Sequence, residues 1–94
     1  MTSSAGDLVT TARVTPDGAT EWARAGRVFA TLDAGGSRAA FRLDPLLASA
    51  ARRTPDTDTS ARGPDWVEFD PAVLDDHAID RAVAWFEAAA RRAG

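Results

Sequence analysis

Arg27-Val28-Phe29-Ala30-Thr31-Leu32-Asp33 and Arg38-Ala39-Ala40-Phe41-Arg42-Leu43-Asp44, joined by Ala34-Gly35-Gly36-Ser37, decide the fold of this chain. Two alternating segments flank a Gly-Gly pair, the pattern of a tight β-hairpin. Opposing residue 34 to residue 37 sets Leu32 across from Ala39, Ala30 from Phe41 and Val28 from Leu43, one wholly apolar face. The other face then sets Asp33 against Arg38, Thr31 against Ala40, Phe29 against Arg42 and Arg27 against Asp44. A slip of one residue would break both sets at once, so the register is strongly specified.

Outward from the hairpin, Asp44-Pro45 reads as an N-cap with proline at the first helical position, opening a helix to about Arg53. Leu46, Leu47, Ala50 and Ala51 supply its apolar side, and Thr54-Pro55 stops it. Residues 54–65 offer almost nothing to bury and read as a long polar loop. Trp66-Val67-Glu68-Phe69-Asp70 is a short strand with Val67 and Phe69 on one face. Asp75-Asp76 begins a closing helix to about Arg92, with Ile79, Ala82, Val83, Phe86 and Ala90 at helical spacing. Acids at its start and Arg91-Arg92 at its end complement the helix dipole. On the N-terminal side, Pro16-Asp17-Gly18 is a turn. Residues 5–14 suit a short helix or, through Val9, Thr10, Thr11 and Val14, a strand; residues 1–4 are expected to be disordered.

The alphabet of the 94 residues is narrow. There is no Cys, Lys, Tyr, Asn or Gln, one His, and all 11 basic residues are Arg. That removes disulfides, thiolate nucleophiles, Cys-based zinc sites, Schiff-base lysines and two-His metal motifs. The length suits one domain over 1–94. No run of 18 apolar residues occurs, and Met1-Thr2-Ser3-Ser4 lacks the basic flank of a signal peptide. The expectation is a soluble cytoplasmic protein with no membrane partner. The net charge of −3 hides an asymmetry: seven Arg face five acids in residues 1–53, and four Arg face nine acids in 54–94.

Pro16-Asp17-Gly18-Ala19-Thr20-Glu21, Gly26-Arg27-Val28-Phe29-Ala30-Thr31-Leu32, Arg42-Leu43-Asp44-Pro45 and Gly63-Pro64-Asp65-Trp66-Val67, with the closing helix, resemble the MmcQ/YjbR family of small bacterial proteins. The resemblance covers about residues 8–90, and its short motifs are specific only in combination. It implies an α+β, two-layer fold: a short antiparallel sheet of three to four strands with helices packed on one face. Members of the family are often labelled DNA-binding, largely by likeness of fold, and no catalytic set carries over. Only Trp22–Ala25 stands where the family has a longer segment before its Gly-Arg-Val-Phe-Ala strand, which implies a vestigial first strand here.

The candidate site is the polar face of the hairpin. Arg27, Phe29, Arg38 and Arg42 project from it, and Trp66 joins them if its strand pairs with the apolar side inward. Guanidinium groups beside exposed rings on an open sheet are how sequence-tolerant single-stranded nucleic-acid platforms work. The plainer reading needs no ligand: Arg42 stacks on Phe29, while Arg38 and Arg27 pair with Asp33 and Asp44. Other constellations fail on their own terms. His77 has neighbouring acids, yet no Gly-x-Ser-x-Gly elbow surrounds Ser37, Ser49 or Ser60. Asp56-Thr57-Asp58-Thr59-Ser60 opens like a calcium loop, but Ala61 stands where glycine is required and Val67 where the bidentate acid belongs. Trp22 and Trp85 read as packing residues. No enzyme, cofactor or metal is expected. A nucleic-acid-binding module and a protein-interaction or homodimerisation module remain, with nucleic acid first because the resemblance implies it.

Overall fold

A computed structural model describes residues 10–93. The expectation for residues 1–4 lies outside that range, as does the 5–9 part of the helix-or-strand reading of residues 5–14, whose end is a strand over Thr11–Val14. Eight elements follow along the chain: β1 (Thr11–Val14), β2 (Thr20–Arg24), β3 (Arg27–Leu32), β4 (Ala39–Arg42), α1 (Pro45–Ala51), β5 (Thr57–Ser60), β6 (Gly63–Phe69) and α2 (Asp76–Ala93). The strands form one antiparallel sheet in the order β1-β2-β3-β4-β6-β5, and the class is α+β. The sheet therefore has six strands rather than three to four.

The central hairpin keeps its predicted register, with Ala30 opposite Phe41, Thr31 opposite Ala40 and Leu32 opposite Ala39. Asp33 closes its turn. Its backbone N–H donates to the Arg38 carbonyl at 2.9 Å, and its carboxylate accepts from the backbone N–H groups of Ser37 and Arg38. Below Ala30 the predicted ladder stops. Trp22 pairs with Ala30 but the adjacent Ala23 pairs with Val28, so Phe29 is an extra residue on β3. A bulge of this kind re-aims the side chain that it inserts. Phe29 is turned to the helix side, fully buried, with the Phe86 ring 5.1 Å away. Its placement on the polar face is corrected: strict alternation fails at the bulge. Arg27 does not pair with Asp44 either, because the Asp44 carboxylate caps α1, accepting from the N–H groups of Leu46 and Leu47.

Two expected blanks in the chain are strands. Trp22 and its neighbours form β2 and carry the sheet out to β1, with Ala25 and Gly26 both at positive φ in the tight turn to β3. The polar loop over 54–65 is likewise corrected, since β5 and the start of β6 lie within it. β-Branched Thr57 and Thr59 suit an edge strand that has little to bury. Thr57 also ties that edge to α1, its hydroxyl donating to the Ala51 carbonyl at 3.1 Å.

Both helices contribute to one core with Phe41, Leu43, Val67 and Phe69. The apolar sides expected of them need adjusting. In α1, Ala48 and Ala51 are buried while Leu46 is exposed. In α2, Ala78, Trp85, Ala89, Ala90 and Ala93 are buried, whereas Ile79 and Val83 are 45 % and 51 % exposed. The small alanines let the helix lie close to the sheet, and Trp85 fills the space between Phe41 and Phe69 at 6.2 and 5.1 Å. Asp75 caps the helix, accepting from the Ala78 N–H at 2.9 Å.

Phe29→Ala is expected to cost about 3 kcal/mol in urea denaturation, the loss typical of a large ring removed from a core. A change within about 0.5 kcal/mol, as for a surface ring, would contradict this packing.

Candidate functional site

The face of the sheet away from the helices is a lattice of ion pairs. Register places Arg13, Glu21, Thr31, Ala40, Glu68 and Asp58 in one row across all six strands. Arg13 Nη2 donates to Glu21 at 2.9 Å. Arg38 reaches Glu68 at 3.1 Å and Asp70 at 3.3 Å, and these two acids hold its guanidinium still more firmly in the charged form. The plainer reading of Arg38 as self-paired is right in kind, but the acids come from β6 and the residue after it. Asp33 is engaged with the backbone of its turn.

Arg42 and Trp66 are direct cross-strand neighbours, as the sequence reading required. Both are already engaged within the fold. Trp66 is only 7 % exposed, with the Arg62 guanidinium 5.1 Å above its ring. Arg42 Nε donates to Asp65 Oδ2 at 3.0 Å, and Arg92 of α2 donates to the same oxygen at 2.9 Å. Partial desolvation pushes the Asp65 carboxyl up, but the hydrogen bonds from Arg92 and Arg42 outweigh it and hold the group below the ordinary carboxylate range. Arg27 lies exposed at the far end of β3 from Arg38, opposite Arg24. Of the five candidates, then, the fold joins Arg42 with Trp66, moves Phe29 to the other face, and separates Arg27 from Arg38.

His77 is exposed beside a cleft lined by Thr54, Pro55, Arg81, Ala84 and Trp85, with no serine among them. Arg81 fills the centre of that cleft, donating to Thr54 Oγ1 and the Pro55 carbonyl at 2.7 Å each and lying over the Phe69 and Trp85 rings. The calcium-like stretch is edge strand β5. Among the described residues no group of three or more His, Asp or Glu is placed to hold a metal ion, and no helix is long and apolar enough to cross a membrane.

A different surface was missed by the sequence reading. Between α2 and the β2–β4 part of the sheet runs an open groove of about 260 Å³, with Trp22, Leu32 and Ala39 on the sheet side and Ala82, Val83 and Phe86 on the helix side. No ionisable side chain lines it. The signal for it is in α2 itself: Ala78, Ile79, Ala82, Val83, Trp85, Phe86 and Ala89 spread over more of the helix than the stripe of roughly 100° that a single core contact uses.

No known family, curated protein or solved structure matches this chain.

The Asp65 bridge generates a pH prediction. A carboxyl held low in the folded state adds stability that is complete above the unfolded pKa and fades as pH falls below about 4. Asp65→Asn is expected to lose about 1 kcal/mol at neutral pH, the scale of a partly exposed pair. The stability difference between variant and parent should shrink as denaturation is followed down to about pH 2; a difference independent of pH would contradict the bridge.

Proposed function

We propose that this chain is a non-catalytic protein-recognition module of the MmcQ/YjbR type, binding through the apolar groove beside α2. One observation carries the reading: half-exposed Val83 lines a groove walled by Trp22, Leu32 and Phe86, with half-exposed Ile79 a turn away, and Thr31 is the one polar residue among those lining it. Small-molecule sites are usually larger, about 300–1,000 Å³, and carry a few converging polar groups. The family assignment is supported by an antiparallel sheet backed by two helices, the last of them closing the fold. A bacterial source and a cytoplasmic location belong to the same proposal, both resting on the family resemblance.

Nucleic-acid binding, the other reading, calls for exposed rings beside free guanidinium groups. Phe29 and Trp66 are buried, and Arg38 and Arg42 are already engaged by acids. The overall acidity works in the same direction.

The two readings part in a fluorescence experiment. Anilinonaphthalene sulfonate should brighten on the parent protein and respond at least about threefold less to Val83→Asp, a half-exposed position whose substitution should leave the circular dichroism unchanged. Single- and double-stranded oligonucleotides at low salt should leave the tryptophan emission unaltered. Salt-sensitive quenching by either oligonucleotide, with no effect of Val83→Asp on the dye, would reverse the order of the readings.

A further inference from the structure

We infer that the groove takes a basic amphipathic helix from another protein, an inference that rests on the groove being the binding surface. The first ground is shape. The helix α2 lies against β2, β3 and β4, and α1 lies against β6, while β1 packs chiefly on β2. Val14 shares the helix-side row with Thr20 and Leu32, and it is 70 % exposed. Among the described residues no helix lies over β1, so the apolar floor that begins at Trp22 and Leu32 continues without helical cover to Val14 at the sheet edge. The groove's floor is the sheet at Trp22, Leu32 and Ala39, and its wall is Ala82, Val83 and Phe86 of α2, with half-exposed Ile79 one turn before Val83. A strand added at the β1 edge would extend the sheet and leave both floor and wall uncovered.

The second ground is charge. Asp76, Asp80 and Glu87 recur at spacings of four and seven, which sets them along one line of α2, immediately outside the Ile79-Val83-Phe86 line. Exposed Arg91 extends that line one turn beyond Glu87, past the Ala82–Phe86 stretch that lines the groove. Asp76 and Asp80 are exposed, and among the described residues none of the three makes an ion pair. A helix lying in the groove with its apolar side down brings one of its flanks against this acidic rim. Arg or Lys on that flank is attracted; Asp or Glu is repelled. An apolar contact surface edged by one sign of charge is how a groove selects among amphipathic helices of similar hydrophobicity.

Two synthetic peptides of about 18 residues, five helical turns, provide the test. Both carry Leu at the i, i+3, i+4, i+7 positions; one has Arg along its flanks and the other Glu. Fluorescence anisotropy of the labelled peptides at low salt should show the Arg peptide binding about tenfold more tightly, with the gap narrowing as salt is raised. Val83→Asp should weaken the Arg peptide by about tenfold or more. The triple variant Asp76→Asn, Asp80→Asn, Glu87→Gln should bring the two peptides within about threefold of each other while leaving binding dependent on Val83. If both peptides bind equally and both are lost in Val83→Asp, the basic partner is overturned while the groove stands. If neither peptide binds, or if Val83→Asp has no effect, the groove falls with it. A dimeric mass in light scattering that Val83→Asp abolishes would give the groove to a second copy and overturn the inference.

Discussion

Two neighbouring rings on one helix turn hold this sheet together. Trp85 meets Phe41 of β4 and Phe69 of β6, and Phe86 meets Phe29 of β3 and Trp22 of β2. Successive helical residues point about 100° apart, so the pair straddles the middle of the sheet and fastens four strands to one helix. The rest of α2 is arranged to let that happen. Ala78, Ala89, Ala90 and Ala93 are buried and small, so the backbone lies close enough for the rings to reach both halves. The bulge at Phe29 serves the same contact. In a regular strand that ring would face away from the helix, and Phe86 would have one aromatic neighbour instead of two.

The position of α2 also determines what remains outside. With Trp85 seated inward, Ile79 and Val83 are carried to the side, where Val83 borders the groove. Polar contacts oppose a roll of the helix that would bury them, for Arg81 and Arg92, three turns apart on one side of the helix, are both tied to groups outside it. Arg81 donates to Thr54 and the Pro55 carbonyl, and Arg92 shares Asp65 with Arg42. At the C-terminal end Arg24 donates to the Ala90 carbonyl at 3.0 Å, satisfying one of the acceptors that a helix end leaves open. The arginine-only basic set, which suggests anionic partners on composition alone, is spent largely on internal contacts of this kind. A planar guanidinium can serve a carboxylate, a carbonyl and a ring at once, and Arg81 does so for carbonyl and rings.

What the sequence made legible is what is local. The Asp44-Pro45 helix start, the Ala30–Leu32 register against Ala39–Phe41 and the span of the closing helix each follow from residues a few positions apart. Phe29 escaped because a bulge is a relation between strands: its cause lies with Trp22 and Ala23 on β2, and alternation within β3 is blind to it. Arg38 was paired with the wrong acid for a related reason. Its partners Glu68 and Asp70 arrive only when β6 docks beside β4, thirty residues later in the chain. β5 carries no apolar alternation at all, since an edge strand of Thr and Asp has one neighbour and little to cover. In α2 the more hydrophobic Ile79 and Val83 looked like the core face, but closeness of approach chose alanine and tryptophan instead. Side-chain hydrophobicity alone does not rank these faces; volume does.

The groove and the thin core are two aspects of one shortage. Two helices cover a six-stranded sheet incompletely, and the uncovered part adjoins the rings that carry the fold: Trp22 and Phe86 line the groove and also pack on each other at 5.6 Å. Whatever occupies the groove therefore touches the stabilising cluster directly, without a relay through distant elements. Removing the last apolar wall from water adds to the same burial that closes the core. A partner that binds only the folded chain raises its stability by RT ln(1 + [L]/Kd), about 2.7 kcal/mol at a hundredfold excess over Kd. In a domain of this size, with net stability on the order of 5–14 kcal/mol, that is a substantial share. Any occupant of the groove would thus couple its binding to folding through a shared pair of rings, because the groove is the unfinished edge of the core itself.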